Sequence, residues 1–65
     1  MEIIVNGEKK SVDPMSLLHF LESLGIDQRR VAVELNAEIL PKTEYEKTAL
    51  KDGDRLEIVH FVGGG

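Results

Sequence analysis

The group in this chain best placed to react belongs to no side chain. The sequence ends Gly63-Gly64-Gly65, which sets a carboxylate at Gly65 on a run without Cβ atoms. At neutral pH such a carboxylate is a poor electrophile, because the α-carboxyl is deprotonated above a pKa of about 3.5. It accepts a nucleophile only once oxygen is given a better leaving group, and a mixed anhydride with phosphate supplies one. Glycines leave the backbone narrow and free to take angles closed to other residues. Extended, Val62 to Gly65 spans about 13–14 Å at about 3.3–3.6 Å per residue. That reach delivers the carboxylate into another enzyme while the body of the protein stays at its mouth. A Gly-rich end is also what a linker or a cloning remnant looks like, but such remnants bring Ser or tag residues, and none follow here.

The remaining candidates are weaker. His19 and His60 are the only histidines, and the chain has no cysteine. Neither a disulfide framework nor a thiolate metal site is therefore available, and no metal site is expected. His19 reads as a solvated helix residue and His60 as a strand residue near the tail. Ser11, Ser16 and Ser23 have no paired base in the sequence. Glu34, Glu38, Asp52, Asp54 and Glu57 read as turn formers and a solvated face, some of it open to a basic partner. No Gly-x-x-x-x-Gly-Lys-Ser/Thr loop and no Gly-rich turn opening a helix is present. The chain itself is therefore expected to bind no cofactor. Activation of Gly65 must take place in a partner, with this chain as a group carrier rather than an enzyme.

Length and charge agree. At 65 residues there is room for one domain, 1–62, followed by a flexible glycine tail, 63–65. A domain this small buries only about 60% of its unfolded surface, so most apolar side chains must enter one core. The net charge is −4, and the basic residues are scattered along the chain. Both points argue against a nucleic-acid partner and for a partner with a basic surface. No apolar run nears the roughly 20 residues of a membrane span, and Met1 to Val5 lacks the basic and apolar regions of a signal peptide. The expectation is a cytoplasmic protein with no membrane partner.

The elements that must position the tail follow from local patterns. Glu2 to Asn6 is a strand, Asn6-Gly7 a strong hairpin signal, and Glu8 to Val12 a polar returning strand. Ser16, with Asp13 as a second candidate, caps a short helix whose buried face is Leu17, Leu18, Leu21 and Leu24, with Phe20 beside it. Gly25 ends the helix. Val31 to Leu35 is a strand, Asn36-Ala37-Glu38 a turn, and Ile39-Leu40 a short segment ended by Pro41. Thr43 to Lys47 forms a helical turn in which Tyr45 plugs the loop with its hydroxyl at the edge. Lys51 to Asp54 turns into a last strand from Arg55 to Phe61 or Val62. The order implies an α+β fold with one helix on one face of a mixed sheet, the later strands running parallel to the first.

Three stretches stand out: Val33-Glu34-Leu35-Asn36-x-Glu38-Ile39-Leu40-Pro41, Asp52-Gly53-Asp54, and Ile58-Val59-His60-Phe61-Val62-Gly63-Gly64-Gly65. Together they resemble the ThiS family of thiamine-biosynthesis sulfur carriers, within the ubiquitin-like β-grasp superfamily. The resemblance covers essentially the whole chain and implies a β-grasp sheet of four to five strands with one main helix. It implies that a ThiF-type enzyme adenylates the carboxylate of Gly65 with ATP. A sulfur donor such as a cysteine desulfurase then yields the thiocarboxylate, and a ThiG-type thiazole synthase takes up the sulfur. Gly63 and Gly64 become the threading residues. A carrier for molybdopterin or another sulfur-containing product, a ubiquitin-like modifier, and an interaction module with an idle tail remain alternatives on the same fold.

Strand parity names the docking face. With Leu56 and Ile58 turned to the helix, Val59 and Phe61 lie on the open face, joined by Ile4 and Ala32. With Val62 at the root of the tail, these are the expected partner-binding residues, and Phe61 is the expected anchor.

Overall fold

The computed structural model describes residues 1–61. Five strands form one mixed sheet in the order β2-β1-β5-β3-β4. β1 (Glu2–Val5) and β2 (Glu8–Ser11) make the first hairpin, with Val5 opposite Glu8. Its turn holds Asn6 at φ 49° and Gly7 at φ 83°, the left-handed pair that a tight two-residue hairpin demands. The strand ends one residue short of the expected Val12, whose N–H donates instead to the carbonyl of Met1 at 2.9 Å.

Helix α1 (Leu17–Ser23) is capped by Ser16, whose Oγ accepts the His19 N–H at 3.1 Å; Asp13 has no part in the cap. Gly25, at φ 74°, closes the other end. There the N–H groups of Gly25 and Ile26 donate to the carbonyls of Glu22 and Leu21 at 2.9 and 3.0 Å, a full Schellman arrangement. The buried face is Leu17, Phe20 and Leu21, not the four leucines expected. Leu18 is half-buried, and Leu24 is 45% exposed because it sits at the C-cap, where the helix lifts away from the sheet.

β3 (Val31–Leu35), β4 (Glu38–Ile39) and β5 (Arg55–His60) complete the sheet. β5 runs parallel to β1, β3 runs antiparallel to β5, and β4 antiparallel to β3, so β5 and β4 share the direction of the first strand as expected and β3 does not. The hairpin is the reason. β2 returns the chain to the end where β1 began, as the Glu2–Ser11 pairing shows. The helix then climbs the sheet, and β3 must descend.

The core is Ile3, Val5, Leu17, Phe20, Leu21, Val31, Val33, Tyr45, Leu50, Leu56 and Ile58. Tyr45, expected as a loop plug, is 1% exposed and is the largest fully buried side chain. The 3-10 turn Lys42–Glu44 delivers it there. Burial pushes its hydroxyl pKa up, opposed by a backbone hydrogen bond with Val33.

Two asparagines bind the sheet's centre from both sides. Asn6 Oδ1 accepts the Ile58 N–H at 2.7 Å and Nδ2 donates to the Ile58 carbonyl at 3.2 Å. Asn36 Oδ1 accepts the Arg55 N–H at 3.0 Å, and its own N–H donates to the Arg55 carbonyl at 2.8 Å. The turn Lys51–Asp54, with Gly53 at φ 87°, locks onto β1. Asp52 Oδ1 accepts the Glu2 N–H at 2.7 Å, while the Gly53 N–H donates to the Glu2 carbonyl at 2.7 Å. β5 is thus the central strand and is anchored at its base, and the tail follows from its far end.

Candidate functional site

The site is the open face of the sheet together with the end of β5. Along β5, Leu56 and Ile58 are buried, while Arg55, Glu57, Val59 and His60 are exposed. Val59 is 56% and Phe61 58% exposed. Both therefore lie where parity put them. In the ladders Ala32 stands opposite Val59, and Ile4 stands opposite Arg55. Ile4 and Ala32 are half-buried by their neighbours, so they contribute less free surface than Val59 and Phe61. Val62, Gly63, Gly64 and Gly65 lie outside the described residues.

The register adds Ile39 to this face, a residue that strand parity alone does not place there. Ile39 stands opposite Glu34 and is 78% exposed, the largest exposure of any large apolar residue among those described. Its placement depends on a two-residue turn through Asn36 and Ala37, both left-handed at φ 51° and 70°. Alanine rarely adopts such angles, so the sequence carried no clear hairpin signal there.

Glu34 and Glu57 are directly paired across β3 and β5, and both are exposed. Like charges facing across a ladder are destabilising. Among the described residues the only ion pairs join Asp27 to Arg29 at 2.8 Å and to Arg30 at 3.9 Å, so neither glutamate is compensated. A row of Ile39, Glu34 and Glu57 thus borders the Ala32–Val59 pair on the open face. Such a surface fits a partner that brings apolar contacts and a basic side chain together.

The end of β5 gathers basic residues that look scattered in the sequence. The Phe61 N–H donates to the Arg30 carbonyl at 2.9 Å. Lys42 Nζ donates to the Val31 carbonyl at 2.9 Å and lies 5.3 Å from the centre of the Phe61 ring. Arg29 and Arg30 both lean on Asp27, at 2.8 and 3.9 Å, and Arg29 is the more closely committed. Its side-chain hydrogen bonds, and then its backbone N–H, hold the Asp27 carboxyl down to about 2.

Among the described residues the side chains of the histidines and serines are not brought together. His19 is exposed on α1 and His60 on β5. Ser16 is occupied as a cap, and Ser23 Oγ donates to the Phe20 carbonyl at 2.6 Å. Among the described residues no group of acidic, His or Cys side chains is placed to hold a metal, and no helix is long and apolar enough to cross a membrane. An open groove of about 510 Å³ lies between β2 and α1, beside Ser11, Val12, Met15 and Phe20. It sits at the β2 edge of the sheet, away from the central strand that leads to the tail.

The sequence model of the ThiS family matches residues 3–65. Sulfur carrier protein ThiS of Bacillus subtilis is 41% identical over 63 residues, covering 94% of this chain and 96% of that protein. A segment of thiazole synthase from Paramagnetospirillum magneticum is 48% identical over 66 residues, covering all of this chain but only 20% of that protein. The chain thus spans a fifth of that relative's length. The crystal structure of the thiamine biosynthesis protein ThiS from Geobacter metallireducens superposes with a TM-score of 0.84 at 38% identity, covering 100% of both chains.

Proposed function

The chain belongs to the ThiS family, and on that premise we propose how it serves as a sulfur carrier in thiamine biosynthesis: the carboxylate of Gly65 is the group that carries the sulfur. A carboxylate oxygen attacks the α-phosphorus of ATP in the active site of a ThiF-type partner, and pyrophosphate leaves. The terminal sulfur of a persulfide on a donor such as a cysteine desulfurase then attacks the acyl carbon and expels AMP. A thiol reductant cleaves the resulting acyl disulfide at its S–S bond, which leaves the oxidised disulfide on the thiol side and the thiocarboxylate on Gly65. A ThiG-type thiazole synthase takes the sulfur from it. The presence of this whole domain as a segment of a thiazole synthase supports that last partner.

The chain's own contribution is recognition and delivery. Val59, Phe61, Ile39, Ile4 and Ala32, with Val62 at the tail root, form the docking face. Glu34 and Glu57 select a basic partner surface, and Gly63 and Gly64 thread the channel. One observation carries this reading. The exposed apolar residues Val59, on the central strand, and Phe61, one residue past its end, lie just ahead of Val62 and the glycine run, so docking on that face aims the tail at the partner's site. ATP–pyrophosphate exchange by a ThiF-type enzyme tests it. The exchange should depend on this chain and should be strongly impaired by Gly64→Ala or Gly65→Ala, while the fold, whose core residues all lie between Ile3 and Ile58, stays intact. Unchanged exchange kinetics in both variants would contradict the threading role.

A further inference from the structure

Lys42 belongs neither to the core nor to the apolar row of the docking face, yet its side chain is held at two points. Leu40 N–H donates to the Val33 carbonyl at 3.0 Å. The next step of that ladder would be Lys42 N–H to the Val31 carbonyl. Pro41 ends the extended run and the backbone turns off into Lys42–Glu44. The Lys42 side chain then returns to the vacated acceptor, with Nζ donating to the Val31 carbonyl at 2.9 Å. The same ammonium lies 5.3 Å from the centre of the Phe61 ring, within the range of a cation–π contact. Its base is firm, because Tyr45, 1% exposed, roots the turn in the core and its N–H donates to the Lys42 carbonyl at 3.2 Å. The Phe61 backbone is fixed separately, by its N–H to the Arg30 carbonyl at 2.9 Å.

We infer that Lys42 is a positioning residue for the carrier reaction, one that holds the Phe61 ring on the open face before a partner arrives. The inference rests on the functional reading above. An exposed phenylalanine just past the end of a strand samples several rotamers, and ordering it on binding lowers affinity. A lysine whose ammonium is already tied to a β3 carbonyl removes part of that cost. It also leaves a positive charge beside the Phe61 ring, at the opposite end of β5 from Arg55 and beyond the Glu34–Glu57 pair. A partner is thereby told which end of the face is which.

The test compares Lys42→Met, which keeps the stem and loses both links, with Lys42→Arg, which keeps the charge. Two quantities are read: the ring resonances of Phe61 in the free protein, and KM and kcat for the carrier in ATP–pyrophosphate exchange with a ThiF-type enzyme. Lys42→Met should shift the Phe61 ring resonances and raise KM about three- to ten-fold, the size expected for one exposed cation–π contact and one hydrogen bond, with kcat little changed. Lys42→Arg should recover most of the loss. In a Phe61→Leu background, Lys42→Met should add less than about two-fold, because interacting residues are non-additive. If the parent protein is adenylated but Lys42→Met leaves KM unchanged, or acts undiminished in the Phe61→Leu background, the positioning role is overturned. If the parent protein supports no exchange at all, the functional reading fails and takes this inference with it.

Discussion

The two faces of β5 differ residue by residue. Leu56 and Ile58 are 1% and 7% exposed, while Val59 and Phe61 on the other side are 56% and 58% exposed. On the covered face Leu56 and Ile58 join Leu17, Phe20 and Leu21 of the helix in one core cluster, and only His60, at the strand's end, is polar and exposed. The open face mixes apolar residues with an uncompensated pair of glutamates. One short strand therefore serves stability on one side and recognition on the other, and the central position of β5 lets neither role disturb the other. Substitutions on the covered face should be read in unfolding, and those on the open face in binding.

The largest effect should come from Leu56→Ala. It empties a site that is 1% exposed and should cost about 2–5 kcal/mol, measured by denaturant titration. A loss below about 1 kcal/mol would mean that the helix-side face is not the core. Phe61→Ala comes next and separates the faces most sharply. As the anchor of the open face it should weaken binding to a ThiF-type enzyme by about 2 kcal/mol, read by calorimetry, and leave stability within about 0.5 kcal/mol. The reverse pattern would place Phe61 in the core. Glu57→Gln should have opposite signs in the two assays. It relieves the charge facing Glu34 and should stabilise the fold by about 0.2–1 kcal/mol, yet reduce affinity for a basic partner and flatten its salt dependence.

Asp27 lies outside both faces and gives the smallest effect. Its carboxyl is held down to about 2 from 3.8 by Arg29. A depressed folded-state pKa contributes stability that is present above the unfolded value and lost as pH falls through the folded one. That contribution should therefore fade between pH 3.8 and about 2. A carboxyl titration followed by NMR should show the low midpoint in the parent protein and a rise toward 3.8 in Arg29→Ala.

The features legible in the sequence were those set by local rules. Asn6-Gly7 announces its turn because two left-handed residues in succession are rarely anything else. Ser16 and Gly25 mark the helix ends, Asp52-Gly53-Asp54 marks the last turn, and strand parity placed Val59 and Phe61. The features that escaped were those fixed by register and topology. Ile39 reaches the open face only through an Asn36-Ala37 turn that alanine disguises. Tyr45 becomes core because a 3-10 turn swings it inward, and Leu24 leaves the helix face because a seven-residue helix ends there. The direction of β3 depends on the hairpin placed before the helix. Lys42 gains its role only once β3, the turn after β4, and Phe61 converge at one end of the sheet. The second task of Asn6, pairing with Ile58 across 52 positions, is likewise invisible to local pattern.

The central claim is that the Gly65 carboxylate carries sulfur. Intact-mass spectrometry tests it most directly, after incubation with a ThiF-type enzyme, ATP and a sulfur donor. The account predicts a mass increase equal to the exchange of one oxygen for sulfur, located in the C-terminal peptide and absent when ATP is withheld. An unchanged mass, or covalent attachment of the chain to lysines of other proteins, would contradict it.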